Sequence, residues 1–487
     1  QLLQTAPHHR CGAFFMAYIQ GEPRNQTSLF PVSIDELIPA DHLVRVIDAY
    51  VARIDLKVLG FDKADPKVNG RPPYNPADLL KLYLYGYFYQ IRSSRRLEAE
   101  CQRNVEVMWL LNRLAPDFKT IADFRKDNTV AFSATCRAFV QFCRSAGLVK
   151  GDLVAIDGSK FRAVASNRRH VSLKHLKRDL EKLDQRIARY LATLDESDQS
   201  ESAEKIDTNK VKEALARLQS KRNDNLTCQA LMEELGLSQI IVGEDEAKMM
   251  RAPQGNFAGY NVQSAVDEEH GLIVHHEVTQ DSDDRRQLAP MATAVQQVLD
   301  QENVTVTADA GYSNGEQFQA CDNAGITAIV PLNRENRSAE NALFPQADFK
   351  YDPKTDTYRC PAGQVLILKG MNKGSANYHA QASACGSCAL KGNCTKARHR
   401  SLKRHPNEAA FERMTKRLNA NPDMMLRRKS TVEHPFGNLK QWALGTGRFL
   451  LRQLQGAKAE MTLAVTSYNL KRTINILGTR RLLEMLA

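Results

Sequence analysis

Eight residues, Leu153-Val154-Ala155-Ile156-Asp157-Gly158-Ser159-Lys160, constrain the fold of this chain more than any others. Apolar residues run directly into one carboxylate, and a Gly-Ser pair follows that predicts a turn. Such a run reads as a short buried strand delivering Asp157 at its C-terminal end, where the backbone opens to solvent. The pattern returns at Val304-Thr305-Val306-Thr307-Ala308-Asp309-Ala310-Gly311-Tyr312, a β-branched run that ends in Asp309. A third acid, Glu433, stands in Ser430-Thr431-Val432-Glu433-His434-Pro435-Phe436-Gly437-Asn438-Leu439-Lys440. Three hard oxygen donors suit Mg²⁺ or Mn²⁺. Two such ions roughly 3.5–4 Å apart activate a water or a 3′-hydroxyl and stabilise the leaving oxygen.

The rest of the composition fits a polyanionic partner. Lys and Arg number 67 against 56 Asp and Glu, a formal net charge of +11. No apolar run approaches the roughly 18 residues of a membrane span, and residues 1–15 lack the apolar core of a signal peptide. A cytoplasmic protein with no membrane partner is predicted. Because the first methionine is Met16, residues 1–15 are expected to lie upstream of the natural start.

Read in order, residues 34–148 are almost entirely helical. Asp41 is placed as the cap of the helical stretch 41–50, and Asn75 as the cap of a helix that starts at Pro76. After the Asp157 strand the composition changes. A leucine stripe (Leu173, Leu176, Leu180, Leu183) predicts an antiparallel helical hairpin inserted at 170–225. Strands are expected at 260–267 and 272–278, with helices near 285–299 and 314–323 and strands at 304–308 and 326–331. That order is a mixed α/β sheet of ribonuclease-H-like topology, with the strands bearing Asp157 and Asp309 side by side. Glu433 would come from a helix packed across the sheet. Its local geometry stays open, since Pro435 predicts either a kink or a helix that starts near Ser430 with a Ser430–Glu433 capping box.

Residues 332–422 read as a loop-rich insertion. Cys360, Cys385, Cys388 and Cys394 fall there within 35 residues, a spacing that predicts a structural Zn²⁺ site. Such a site would hold Arg398, Arg400, Lys403 and Arg404 against DNA. Cys101, Cys136, Cys143, Cys228 and Cys321 read as small core residues.

Several segments resemble the DDE transposases of bacterial insertion sequences, over nearly the whole chain from about Leu29. They are Gly70-Arg71-Pro72-Pro73-Tyr74-Asn75-Pro76, Gly86-Tyr87, Ile91-Arg92-Ser93-Ser94-Arg95, Thr120-Ile121 and Phe124-Arg125. Further matches are Ile156-Asp157-Gly158-Ser159-Lys160-Phe161, Tyr260-Asn261-Val262-Gln263, Ala308-Asp309-Ala310-Gly311-Tyr312 and Tyr468-Asn469-Leu470-Lys471-Arg472. The resemblance implies a catalytic triad of Asp157, Asp309 and Glu433. It implies two Mg²⁺ or Mn²⁺ ions and DNA contacts from Arg92, Arg95, Arg125, Arg428, Lys429 and Lys440. The last family motif places a Tyr and an Arg before the Glu; here Leu426 and Lys429 stand in those places, with Arg427 or Arg428 available to phosphate.

The implied organisation is a non-native or disordered stretch at 1–28 and a helical DNA-binding domain at 29–148. A first part of the catalytic core spans 149–331, the Cys-rich insertion 332–422, and the Glu433 helix with a helical end 423–487. The implied activity is binding of terminal inverted repeats, metal-dependent cleavage and strand transfer into target double-stranded DNA. The protein would act as a homodimer on DNA, associated with the nucleoid. Two alternatives are a ribonuclease-H-like nuclease without strand transfer and an inactive zinc-bearing DNA-binding protein.

Overall fold

The structure is a computed structural model that describes residues 33–65, 72–199, 208–253, 255–333, 343–372 and 374–487. The expectations for residues 1–28, including the displaced start, lie outside the described residues.

Among the described residues six helices come first: α1 (Leu43–Arg53), α2 (Pro76–Phe88), α3 (Ser94–Arg103), α4 (Val105–Leu110), α5 (Phe118–Asp127) and α6 (Thr129–Ser145). Helix α2 begins as its sequence dictates. Asn75 Oδ1 accepts from the Ala77 N–H at 2.9 Å, and Pro76 takes the first turn, where its missing N–H costs nothing. The start of α1 differs from expectation. His42, not Asp41, is the cap, its Nδ1 accepting from the Val44 N–H.

Strand β1 (Val154–Arg162) corrects the reading of the Asp157 segment. Gly158 and Ser159 do not turn the chain; the strand runs through them, because β5 (Phe257–Asp267) pairs with every residue of β1. Next come β2 (His170–Ser172), α7 (Leu173–Gln199), α8 (Thr208–Glu234), β3 (Gln239–Ile241) and β4 (Lys248–Met250). Helices α7 and α8 form the expected hairpin, but α8 extends to Glu234, beyond residue 225. The β2–β3 pair clamps its base, where Leu176, Met232 and Ile240 make a small core. Then follow β6 (Ile273–Thr279), α9 (Leu288–Leu299), β7 (Thr305–Thr307), α10 (Gly315–Asn323) and β8 (Thr327–Ile329).

The main sheet runs β4-β5-β1-β7-β8, with β6 also paired to β5. Pairings of β5 with β1, β4 and β6 are antiparallel; β1–β7 and β7–β8 are parallel. This mixed sheet with helical crossovers is consistent with a ribonuclease-H-like domain.

Residues 343–404 are more ordered than expected. Instead of loops they form a second, five-stranded antiparallel sheet: β9 (Lys350–Asp352), β10 (Thr357–Arg359), β11 (Val365–Asn372), β12 (Ser375–Ala380) and β13 (Ser401–Arg404). The short helices α11 (Ala382–Gly386) and α12 (Lys391–Cys394) lie between β12 and β13. The chain ends in α13 (Glu408–Ala420), α14 (Met424–Asn438), α15 (Gln453–Leu477) and α16 (Thr479–Leu486). Helix α14 starts at Met424 and runs through Pro435, so the Ser430 capping box does not form; Ser430 Oγ instead donates to the Arg427 carbonyl inside the helix. A π-helical turn, Leu439–Ala443, follows it.

One hydrophobic core joins the N-terminal helices, the main sheet and the C-terminal helices. Helix α15 is its centre, packed against α2, α6 and β6. Glu460 on α15 is fully buried, and its carboxylate accepts from the N–H groups of Leu450 and Leu451 and from Arg92. Burial raises its pKa; Arg125, those backbone donors and Arg92 oppose the shift.

Candidate active site

The β1–β7 register brings the two aspartates together. Val154 lies opposite Val306 and Ala155 opposite Thr307, so two residues further along each strand stand Asp157 and Asp309. Asp309 closes its strand by accepting from the Gly311 N–H at 2.8 Å, starting a short 3-10 turn. Tyr312, buried at the end of that turn, anchors it by donating to Gln263 Oε1 on β5. The Asp-Ala-Gly-Tyr sequence thus locks the end of β7, across β1, to β5.

Alternation along β1 gives the site two faces. On one, Asp157 and Ser159 meet α14 and the turn after it. Arg428 Nη2 lies 3.0 Å from Asp157 Oδ1 and 3.8 Å from Asp309 Oδ2. Lys440 Nζ donates to Ser159 Oγ at 2.6 Å and lies over the Phe161 ring. On the other face, Gly158 and Lys160 meet Asp284, an acid the sequence reading passed over. Asp284 Oδ1 accepts from Asn261 and Gln263 at 2.7 Å each and from Lys160 at 3.2 Å. Gly158 is there because nothing larger fits: a Cβ would lie 2.5 Å from Asp284 Oδ1 and 2.6 Å from Gln263 Nε2.

Burial pushes the Asp157 carboxyl up to about 6; Arg428 opposes this, while Asp309 and Asp284 add to it. Burial likewise lowers Lys440, with Asp157 opposing and Lys160 reinforcing the shift. A half-buried carboxylate beside a second one, sharing a single cation, is a place where positive charge is stabilised.

Glu433 is not brought to this pair. It is largely exposed and pairs with Lys429 one turn earlier, at 3.7 Å. Among the described residues, no three His, Cys, Asp or Glu side chains gather closely enough to hold a metal ion. The donor chemistry of Asp157 and Asp309 fits a hard divalent cation, and Glu433 would have to move to complete the set.

The arginines expected at DNA divide into two groups. Arg92 and Arg125 face inward. Arg92 is tied to Glu460 at 3.3 Å and to the Arg448 carbonyl, and Arg125 is 5% exposed, donating to the Arg92 carbonyl beneath Tyr83. Arg95 remains at the surface against Phe118, and Lys429 is exposed. A basic cleft of about 270 Å³ that the sequence reading missed lies at the far end of β1, lined by Arg162, Arg168, Arg448, Asn167 and Phe257. Only its three-dimensional assembly reveals it, since its parts come from β1, the turn after it, β5 and the loop before α15.

In the second sheet, Cys360, Cys385, Cys388 and Cys394 all line one cavity of about 20 Å³. That is room for about one water-sized occupant. The Gln364 N–H donates to Cys360 Sγ at 3.3 Å. Arg400 binds the Cys394 and Phe344 carbonyls, and Arg404 is enclosed by Tyr351, Tyr358 and Glu412. These two arginines therefore stabilise the unit itself, while Arg398 and Lys403 are the members of that basic set at its surface.

Two protein families match the chain. A transposase domain (DUF772) matches residues 32–127, and a transposase DDE domain matches residues 238–470. Together they cover about two thirds of the sequence. The second match contains Asp309 and Glu433 and begins after β1, so Asp157 lies outside it. No curated protein and no solved structure matches the chain.

Proposed function

The chain belongs to the DDE transposases of insertion sequences, enzymes that cut and transfer DNA, and on that premise we propose that it moves its element through Asp157, Asp309 and Glu433. The observation that carries this reading is the pair of aspartates on adjacent strands, Asp157 within β1 and Asp309 just past β7, sharing one cation. When bound, divalent metal supplies activation of the attacking water or 3′-hydroxyl and stabilisation of the leaving oxygen. The chain's own residues do the rest. Asp157 and Asp309 would hold Mg²⁺ or Mn²⁺, joined by Glu433 on completion of the site. The Asp284 cage fixes β1 from behind, and Lys440 holds Ser159 beside Asp157.

The DNA track is proposed to run from the carboxylates past Lys440 and Lys429 to the Arg162–Arg168–Arg448 cleft, with Arg95 on the helical side. Along an extended strand the five residues from Asp157 to Arg162 span roughly 17 Å. Phosphate contacts along this track would supply most of the affinity, with a steep dependence on salt. Binding of terminal inverted repeats and action as a homodimer belong to the same proposal. Among the described residues no helix is long and apolar enough to cross a membrane.

For the four cysteines we propose a structural Zn²⁺. The shared one-atom cavity and the N–H donor on Cys360 support it, although the sulfurs are not drawn in to ligand geometry. Metal analysis of purified protein, with Cys385→Ser/Cys388→Ser as the control, tests it; one Zn²⁺ per chain, lost in the variant, is expected.

The test of the whole reading is strand cleavage and joining on DNA carrying the element's ends, with Mg²⁺, comparing wild type with Asp309→Ala. Metal-dependent joining that disappears in the variant is expected. Cleavage without joining would favour a nuclease, and specific binding without chemistry in either protein a DNA-binding relic.

A further inference from the structure

The guanidinium between Asp157 and Asp309 sits where the proposed function requires metal. Its placement is not that of a stable structural ion pair. The Arg428 side chain is 14% exposed, yet its Nε is buried without a hydrogen-bond partner, a donor removed from water for no return. On this face Asp157 and Asp309 are balanced by Arg428 and Lys440, two charges of each sign, while Asp284 and Lys160 pair on the other. Two divalent ions cannot enter this balanced set while the guanidinium stays.

Helix geometry makes the exchange specific. Glu433 lies five residues after Arg428, which places it roughly 140° round the helix axis. While α14 turns Arg428 towards the aspartates, Glu433 points away, held by Lys429. One helix orientation presents a cation to the site, and another presents its third acid. The end of α14 is built to allow a change of register. Pro435 removes a backbone hydrogen bond, and the π-helical turn Leu439–Ala443 stores one residue of slack before Gly445 and Gly447, both at positive φ.

We propose that Arg428 is an internal stand-in for the catalytic metal, which closes the site in the DNA-free protein and is drawn out by a DNA phosphate. A phosphodiester oxygen pair matches the guanidinium fork that the carboxylates now engage. Its departure leaves two negative charges for metal and frees α14 to turn Glu433 inward. Metal binding and DNA binding are thereby coupled. Arg428 is in this sense a positioning residue, and the inference rests on the reading of Asp157 and Asp309 as metal ligands.

Mn²⁺ binding to the full chain without DNA, followed by the electron paramagnetic resonance of free Mn²⁺, tests it. Arg428→Gln and Arg428→Ala should each bind Mn²⁺ at least about tenfold more tightly than wild type, since one positive charge at contact distance is gone. Arg428→Lys, which keeps the charge, should stay near wild type. Wild type should reach the tighter binding when duplex DNA is added, and Asp309→Asn should abolish the gain in the Arg428→Gln background. Equal Mn²⁺ binding by wild type and both neutral variants overturns the stand-in, even if Asp309→Asn weakens metal binding with DNA and so upholds the ligand reading. Mn²⁺ binding untouched by Asp157→Asn and Asp309→Asn, with DNA present, overturns both.

Discussion

The two sheets of this protein reach stability by opposite means. Every residue of β5, the central strand of the six-stranded sheet, is buried, whereas of the eight residues of β11 only Leu366 is. The larger sheet is covered by α9 and α14, with α15 packed on β6, and its core continues into the N-terminal helices. The smaller has six buried core residues, three of them Phe349, Tyr358 and Tyr378, and four cysteines at one end. A core of that size stabilises a fold only weakly, and small units of this kind usually carry a metal or a covalent staple. The comparison teaches where to look for function: extensive packing supports the ion pairs at Asp157 in the first sheet, while the second has only a small aromatic core beside its cysteines.

The largest effect expected breaks the comparison on the side of the smaller sheet. If Zn²⁺ links the four cysteines, its removal forfeits about 10 kcal/mol or more of folding free energy. Chelation should then expose residues 343–404 to protease while the main sheet stays protected; an unchanged digestion pattern would assign the unit's stability to its aromatic core. Next comes the larger sheet's own ionic anchor. Glu460→Ala leaves Arg92 and Arg125 with buried, unpaired charge, and a loss of about 3–5 kcal/mol in urea unfolding is expected. A loss under about 1 kcal/mol would show that water reaches this site.

Gly158→Ala should cost about 1–3 kcal/mol, because the new methyl meets the side chains of Asp284 and Gln263, which hydrogen bonds hold in place. It should also lower the rate of DNA cleavage, since β1 would shift at Asp157. Smaller still is a pH effect. Burial lowers His275 to about 4 and His276 to about 3, and His276 Nε2 pairs with Thr462 Oγ1 on α15. The unfolded imidazole titrates near 6.5, so both contributions are fully present above that pH. As pH falls from 6.5 towards 4, the unfolded chain takes up protons the folded one refuses, and each histidine removes at most about 1.4 kcal/mol per pH unit. His276→Asn should flatten the acid limb of the thermal-stability profile. At the bottom of the scale, Ile367→Thr on the exposed face of β11 should stay within about 0.5 kcal/mol of wild type.

Much of this was legible in the residues. The turn at Asp309, the helical hairpin and the Asn75–Pro76 helix start are local patterns that survive folding, whereas Asp157, expected at a strand end, lies within β1. The adjacency of β1 and β7 was legible too, because crossover rules leave few ways to place two parallel strands. What escaped reading was non-local. Gly158 looks like a turn residue until Asp284, more than a hundred positions away, is seen against it. The five-stranded sheet hid because its strands are short and mostly exposed, so the alternation that marks a half-buried strand is faint. Arg92 and Arg125 looked like a basic surface because nothing near them in sequence announces Glu460.

The central place of α15 has a consequence in time. Its residues, 453–477, are synthesised well after α2, α6 and β6, yet all three pack on it. At roughly 5–20 residues per second, about 20–75 s separate the emergence of α2 from that of α15. Until then the N-terminal helices lack their principal partner and Arg92 and Arg125 lack Glu460. A chain broken off before α15 would therefore leave no folded helical domain to occupy DNA in competition with the finished enzyme.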